Sequence, residues 1–147
     1  MNGKLKQYQV SETLSKSVPE LIIMVYGGAV DSLKNAAEYF KDNNYQGGYE
    51  AIEKAKKFMV HLYTTLDMNR GGEIAANLSN LYAFLIERMN FIQATKDIQT
   101  IDDSIEILEN IKEGWIGLAD QKKASRSKSA GDNNLSKNKK QGLSFTA

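Results

Sequence analysis

The chain of 147 residues contains no cysteine and has only one histidine and one proline. Without cysteine, disulfides, thiolate metal sites and a cysteine nucleophile are excluded. A single histidine excludes a di-iron bundle centre, which needs two Glu-x-x-His motifs, and would leave a zinc site dependent almost entirely on carboxylates. We therefore expect neither a metal nor another cofactor.

Long apolar runs and phosphate-binding motifs are also missing. No run of about 18 apolar residues is present to span a bilayer, and no N-terminal run resembles a signal peptide. These absences predict a soluble, cytoplasmic protein without membrane insertion. The doubled glycine Gly71-Gly72 has neither the lysine nor the preceding strand of a phosphate loop. We expect these two glycines to reverse the chain between two helices.

Charge is distributed unevenly, although the net charge is only +1. Residues 1–120 contain 12 Lys+Arg and 17 Asp+Glu, a net of −5, whereas residues 121–147 contain 7 basic residues and 1 Asp, a net of +6. An acidic body and a tail with a single aromatic residue do not resemble a nucleic-acid-binding protein. We predict an N-terminal arm (1–18), a bundle domain (19–120) and a basic, disordered tail (121–147).

Apolar residues recur at steps of three and four along four segments. This spacing predicts helices over about 19–40, 49–66, 72–94 and 98–118, with residues 42–48 as the first connection. The seam of the second helix consists of Ile52, Ala55, Met59, Leu62 and Leu66. Short connections between long helices predict an all-α fold, an antiparallel up-and-down four-helix bundle with an N-terminal arm.

The helices carry more apolar surface than one core stripe each. Residues 21–26 (LIIMVY) are apolar all round, and Ile74, Leu81 and Phe84 form a second stripe on the third helix. We expect this surface to be covered by the arm, by a second subunit in a homodimer or by a partner, and grooves between helices commonly hold amphipathic helices. The pattern favours a binding module over an enzyme, with packing in an irregular bundle as the alternative.

Two features in the first two helices need a separate interpretation. Gly27 and Gly28 lie inside a helix, where we expect them to permit close approach of a neighbouring helix. His61 suggests an alternative function, a histidine phosphotransfer bundle. Such domains usually place a lysine and a glycine soon after the histidine, and here residues 62–65 are Leu-Tyr-Thr-Thr.

Several segments together resemble one known family. They are residues 19–30 (PELIIMVYGGAV), Leu66–Met68, residues 71–78 (GGEIAANL), Leu81-Tyr82 and a fourth helix that ends near Trp115, with Tyr8 before them. In this order they resemble the FliS family of flagellin export chaperones, whose first motif is S-P-x-E-L-I-x-M-L-Y-D-G-A-I. Gly27 departs from it, since the family usually has aspartate there.

The resemblance implies a four-helix bundle that is not an enzyme. Such a protein binds the C-terminal helical region of flagellin in the cytosol, prevents premature polymerisation and aids delivery to the flagellar type III export apparatus. Export-gate components or another flagellar regulator are further implied partners. The arm is expected to cover the apolar groove until flagellin displaces it. The resemblance suggests as flagellin-binding residues Tyr8 in the arm and, in the groove or the adjoining core, Leu66, Ile74, Leu78, Leu81 and Tyr82.

Overall fold

The computed structural model describes residues 18–128, and side chains as far as residue 121. Its helices are α1 (Val18–Lys41), α2 (Tyr45–Thr64), α3 (Met68–Thr95) and α4 (Ile98–Lys128). Each helix packs against the next, and α4 closes on α1. Because the connections are only two or three residues long, neighbouring helices run antiparallel. The predicted all-α four-helix bundle is confirmed, while residues 1–17 of the predicted arm lie outside the described residues.

The core is built from the predicted helical stripes. α1 is the most deeply embedded helix, with seven apolar residues buried between Tyr26 and Phe40. The predicted seam of α2 is confirmed, because its first four members are buried and Leu66 packs against the core. Burying an aliphatic or aromatic side chain stabilises the fold by about 1.5–3 kcal/mol. The fully buried side chains from the other helices include Ile52, Met59, Leu85, Met89, Ile92, Ile101 and Leu108.

α2 begins earlier than the sequence predicted. Residues 42–48 were expected to form a connection, yet the helix starts at Tyr45 and contains Gly47 and Gly48. Asn44 caps this helix, because its side-chain oxygen accepts a hydrogen bond from the Gly47 amide at 3.0 Å. A Cβ atom on Gly48 would lie 2.2 Å from the Phe40 ring. These glycines therefore let an aromatic ring pack on the first turn of a helix.

The doubled glycine Gly71-Gly72 lies near the start of α3, where the sequence predicted that the chain changes direction. The helix starts at Met68 rather than Gly72, and Asp67 caps it by accepting hydrogen bonds from the amides of Asn69 and Arg70, at 3.2 and 3.0 Å. Gly72 then interrupts the helix with φ 54° and ψ −134°. Gly72 thus supplies the predicted backbone freedom, as a kink between the first residues of α3 and the rest of the helix, while the sequence placed the start of α3 four residues too late.

α4 is longer than predicted and continues past Leu118 to Lys128. Its last buried apolar side chain among the described residues is Ala119. The apolar stripe thus marks where α4 packs on the bundle, but not where the helix ends, because polar residues with good helix propensity prolong it.

Only one glycine of the pair in α1 permits a close approach. A Cβ atom on Gly28 would lie 2.5 Å from the Phe58 ring of α2, so the expectation of close packing is confirmed there. A Cβ atom on Gly27 would meet nothing within 4 Å. The prediction was wrong for Gly27, because no neighbouring helix approaches closely at that position.

Candidate partner-binding surface

An apolar cleft lies between the beginning of α1 and the end of α2. It encloses about 190 Å³. Val18, the first described residue, is 67% exposed at one edge of this cleft. The cleft explains the all-round apolar start of α1, since one side buries Tyr26 while the other faces an open space. Its lining residues are Val18, Leu21, Ile22, Val25, His61, Leu62 and Thr65.

A second apolar surface, here named the α3 flank, lies along the side of α3 that faces away from α2. Asn90 and Gln93 mark the α2 side, because the ammonium group of Lys56 donates to their side-chain oxygens at 3.0 and 2.9 Å. The helical period places the flank on the opposite side of the helix. The α3–α4 pairing is the loosest of the four neighbouring pairings. The flank comprises Ile74, Leu81, Phe84, Arg88 and Phe91.

The α3 flank remains partly exposed to solvent after the four helices have packed. Phe84 is 45% exposed and Phe91 is 40% exposed, while Ile74 and Leu81 are half-buried. Large aromatic side chains at this exposure are typical of surfaces that bind other proteins. The flank thus combines two exposed aromatic rings, Phe84 and Phe91, with two half-buried aliphatic side chains, Ile74 and Leu81.

The candidate residues chosen from the sequence do not all reach a surface. Leu66, Leu78 and Leu81 are half-buried and pack against the core, and Ile74 is half-buried on α3. Tyr82 is only 1% exposed and belongs to the core. Tyr8 lies outside the described residues. Ile74, Leu78 and Leu81 therefore lie within two turns of α3, whereas Tyr82 is buried in the core.

Tyr82 belongs to a buried polar contact between helices. Its hydroxyl group hydrogen-bonds to the hydroxyl of Tyr26, and the two ring centroids lie 6.2 Å apart. Burial is the largest cause that raises the pKa of both tyrosines, and the Trp115 indole opposes the rise for Tyr26. That indole nitrogen is buried and makes no hydrogen bond of good geometry to a described residue. The contact joins α1 to α3, and both tyrosines are buried, so neither side chain is exposed at the surface for a partner to contact.

Among the described residues that line the α1–α2 cleft, His61 has the one ionisable side chain. His61 is exposed on α2, but the other residues that line its cleft are apolar apart from Thr65. Among the described residues, no lysine or acidic side chain lines the cleft to assist a phosphorylated histidine. Within residues 18–128, no group of three or more potential metal ligands comes together. In the same range, no helix is both long and apolar enough to cross a bilayer.

Sequence reasoning missed part of both surfaces. The all-round apolar segment 21–26 indicated that something must cover α1, but it did not identify α2 as the opposite wall of a cleft. The second stripe on α3 was predicted only as far as Phe84, and it continues to Phe91. Arg88 gave no signal, because a charged residue on an amphipathic helix normally faces water.

Comparison with known proteins agrees with this architecture. A family model described as flagellar protein FliS matches residues 1–122. The chain is 33% identical over 119 residues to the flagellar secretion chaperone FliS of Vibrio cholerae, which covers 78% of this chain and 88% of that relative. It is 35% identical over 106 residues to the chaperone of the same name from Salmonella typhimurium, with 71% and 78% covered. The resemblance is confirmed, and the chain belongs to the FliS family of flagellar secretion chaperones.

Proposed function

We propose that this protein is a cytosolic export chaperone that binds the C-terminal helical region of flagellin. It prevents premature polymerisation of that region and aids its delivery to the flagellar type III export apparatus. Family membership supports a role in flagellar secretion. The observation that carries the binding proposal is the α3 flank, whose apolar side chains stay partly exposed after the bundle has packed.

The α3 flank suits an amphipathic helix as its ligand. Leu81, Phe84 and Phe91 follow the helical period and present one continuous row on α3. A helical client that places its own apolar stripe on this row removes both surfaces from water, at about 25 cal/mol per Å² of apolar area. The same stripe on the client is then unable to pack against another flagellin, which is how binding prevents polymerisation.

The α1–α2 cleft is a second candidate contact, because its described lining is apolar apart from His61 and Thr65. In this proposal the arm (1–18), with Tyr8, covers apolar surface until flagellin replaces it. Because flagellin replaces the arm on the same apolar surface, the net binding free energy is the free energy of burying that surface under flagellin minus that of burying it under the arm. Release to export-gate components therefore needs no nucleotide hydrolysis.

Isothermal titration calorimetry with a flagellin C-terminal peptide tests this proposal. We expect binding that becomes about tenfold weaker in Leu81→Ser, because loss of a well-placed anchor commonly costs more than 1 kcal/mol. The matched control is Ile116→Ser, which removes an apolar side chain that is 38% exposed on α4. Absence of binding heat, together with an unchanged melting temperature at high peptide concentration, would overturn the proposed function.

A further inference from the structure

Arg88 is held between two aromatic rings in the α3 flank. Its guanidinium carbon lies 5.6 Å from the centre of the Phe84 ring and 5.0 Å from the centre of the Phe91 ring. The three residues share one side of α3 because they are separated by four and three positions. Cation–π contacts of this kind orient the guanidinium group and keep water from its faces.

The charge of Arg88 has no counter-ion among the described residues. No described carboxylate lies within the 4.0 Å that defines a salt bridge. The Nε atom of Arg88 is buried and has no acceptor among these residues. Lys56, by contrast, pairs with Glu53 at 2.8 Å. A partly buried charge that lacks a counter-ion, with an N–H that lacks an acceptor, is costly, so the position favours a ligand that supplies an acceptor.

We propose that Arg88 pairs with a carboxylate on the bound client helix and so determines the register of that helix along α3. This inference rests on the proposed function, since the client is the C-terminal region of flagellin. The ligand is an amphipathic helix with apolar side chains on Leu81, Phe84 and Phe91 and an Asp or Glu between them. The planar guanidinium binds a carboxylate through two parallel hydrogen bonds.

A single ion pair is effective here because the rest of the flank is chemically uniform. An apolar row alone tolerates a helix that shifts by one turn, since each turn offers similar side chains. One charge-assisted contact in the middle of the row distinguishes the correct register from its neighbours. Residues 1–120 carry a net charge of −5, so most of the bundle repels an acidic segment and Arg88 offers it a specific position.

The test is a double-mutant cycle measured by calorimetry with the flagellin C-terminal peptide. We expect Arg88→Gln to weaken binding about tenfold. Each Asp and Glu of the peptide is changed in turn to Asn or Gln. One change is expected to cause a similar loss with the unsubstituted protein and little further loss with Arg88→Gln, because the two groups contact each other. The matched control is Lys96→Gln, which removes a cation that lies 4.9 Å from the centre of the Tyr45 ring.

The outcomes separate this inference from the proposed function. Unchanged affinity in Arg88→Gln, alongside weaker binding in Leu81→Ser, would overturn the role of Arg88 and leave the proposed function intact. No binding by the unsubstituted protein would overturn both. If Arg88→Gln unfolds at a lower temperature, Arg88→Lys provides the second measurement, and affinity closer to that of the unsubstituted protein supports the charge. A dimer of the free protein that dissociates in Arg88→Gln would assign the flank to a second copy and overturn the inference.

Discussion

Gly27 and Gly28 are adjacent in the sequence but have opposite surroundings in the bundle. Space is open where a Cβ atom on Gly27 would lie, whereas a Cβ atom on Gly28 would overlap the Phe58 ring. Glycine in a helix interior costs about 0.5–1 kcal/mol relative to alanine. That cost is offset by close helix packing at Gly28 and is not offset by any described contact at Gly27.

Substitutions at these glycines should therefore change stability in opposite directions. Gly27→Ala is expected to raise the free energy of unfolding by about 0.5–1 kcal/mol, because it removes backbone freedom from the unfolded chain. Gly28→Leu is expected to lower it by about 1–3 kcal/mol, because Phe58 and α2 must move. Urea denaturation measures both values. If Gly28→Leu does not lower the free energy of unfolding, Phe58 does not restrict the space at Gly28.

The buried pair Tyr26–Tyr82 makes the stability of the protein sensitive to alkaline pH. Burial raises the pKa of both hydroxyl groups in the folded state, so the neutral forms are favoured there. In the unfolded chain a tyrosine ionises near pH 10. The stabilisation is therefore fully present below about pH 10 and is lost as the pH rises above it.

We expect the free energy of unfolding to fall above about pH 10, by about 1.4 kcal/mol per pH unit for each protected tyrosine. Tyr26→Phe should lower stability at neutral pH through the lost hydrogen bond but should make the alkaline decline shallower. Urea denaturation from about pH 8 to about pH 11 measures both effects. The control is Tyr63→Phe, which changes a tyrosine that is 44% exposed. An equally steep decline in Tyr26→Phe would contradict this account.

Among the elements, the sequence predicted which segments are helical but not where each one begins and ends. The apolar period identified all four helices, because core positions on a helix must recur every three to four residues. The starts of α2 and α3 were missed, because both helices have glycines in their first turns and glycine usually indicates a break. At Gly48 the glycine is needed because the Phe40 ring of α1 packs against it. Helical periodicity within one segment does not predict such a contact between two helices.

Polar contacts on the α2–α3 side could not be predicted from helical periodicity. Gln93 donates to the Glu53 carboxylate at 2.9 Å, and Lys56 joins both residues. Hydrogen bonds from Lys56 and then Gln93 lower the pKa of Glu53. This network fixes one side of α3 to α2, and the residues of the α3 flank lie on the opposite side of the helix.

Gly72 provides a prediction about α3 as an element. Its φ of 54° and ψ of −134° belong to a region that residues with a Cβ atom avoid. Gly72→Ala should lower the free energy of unfolding by about 1–3 kcal/mol, because the kink must either persist under strain or straighten. Gly117→Ala is the control, since a Cβ atom there would meet nothing within 4 Å and α4 is regular. An unchanged melting temperature in Gly72→Ala would indicate that the kink is not required.

At the scale of the whole molecule, the sequence predicted one of the two candidate surfaces in part and did not predict the other. The second apolar stripe of α3 was visible as residues that a four-helix core does not need. The α1–α2 cleft and the pairing of Arg88 with two rings depend on how helices are placed against each other, and one sequence does not contain that information. The resemblance suggested Tyr82 for the groove or the adjoining core, and its burial and contact with Tyr26 place it in the core.

The last prediction concerns residues 129–147, which follow the described end of α4. Among the side chains that the structure describes, the last buried apolar one is Ala119, and the family match ends at residue 122. A chain that ends after Lys128 should therefore keep its free energy of unfolding within about 0.5 kcal/mol, as expected for changes away from packed contacts. It should also bind the flagellin peptide with unchanged affinity, because both candidate surfaces lie within residues 18–91. Urea denaturation and calorimetry measure the two quantities. A lower stability that also depends on salt would show instead that the basic tail rests on the acidic bundle through ion pairs.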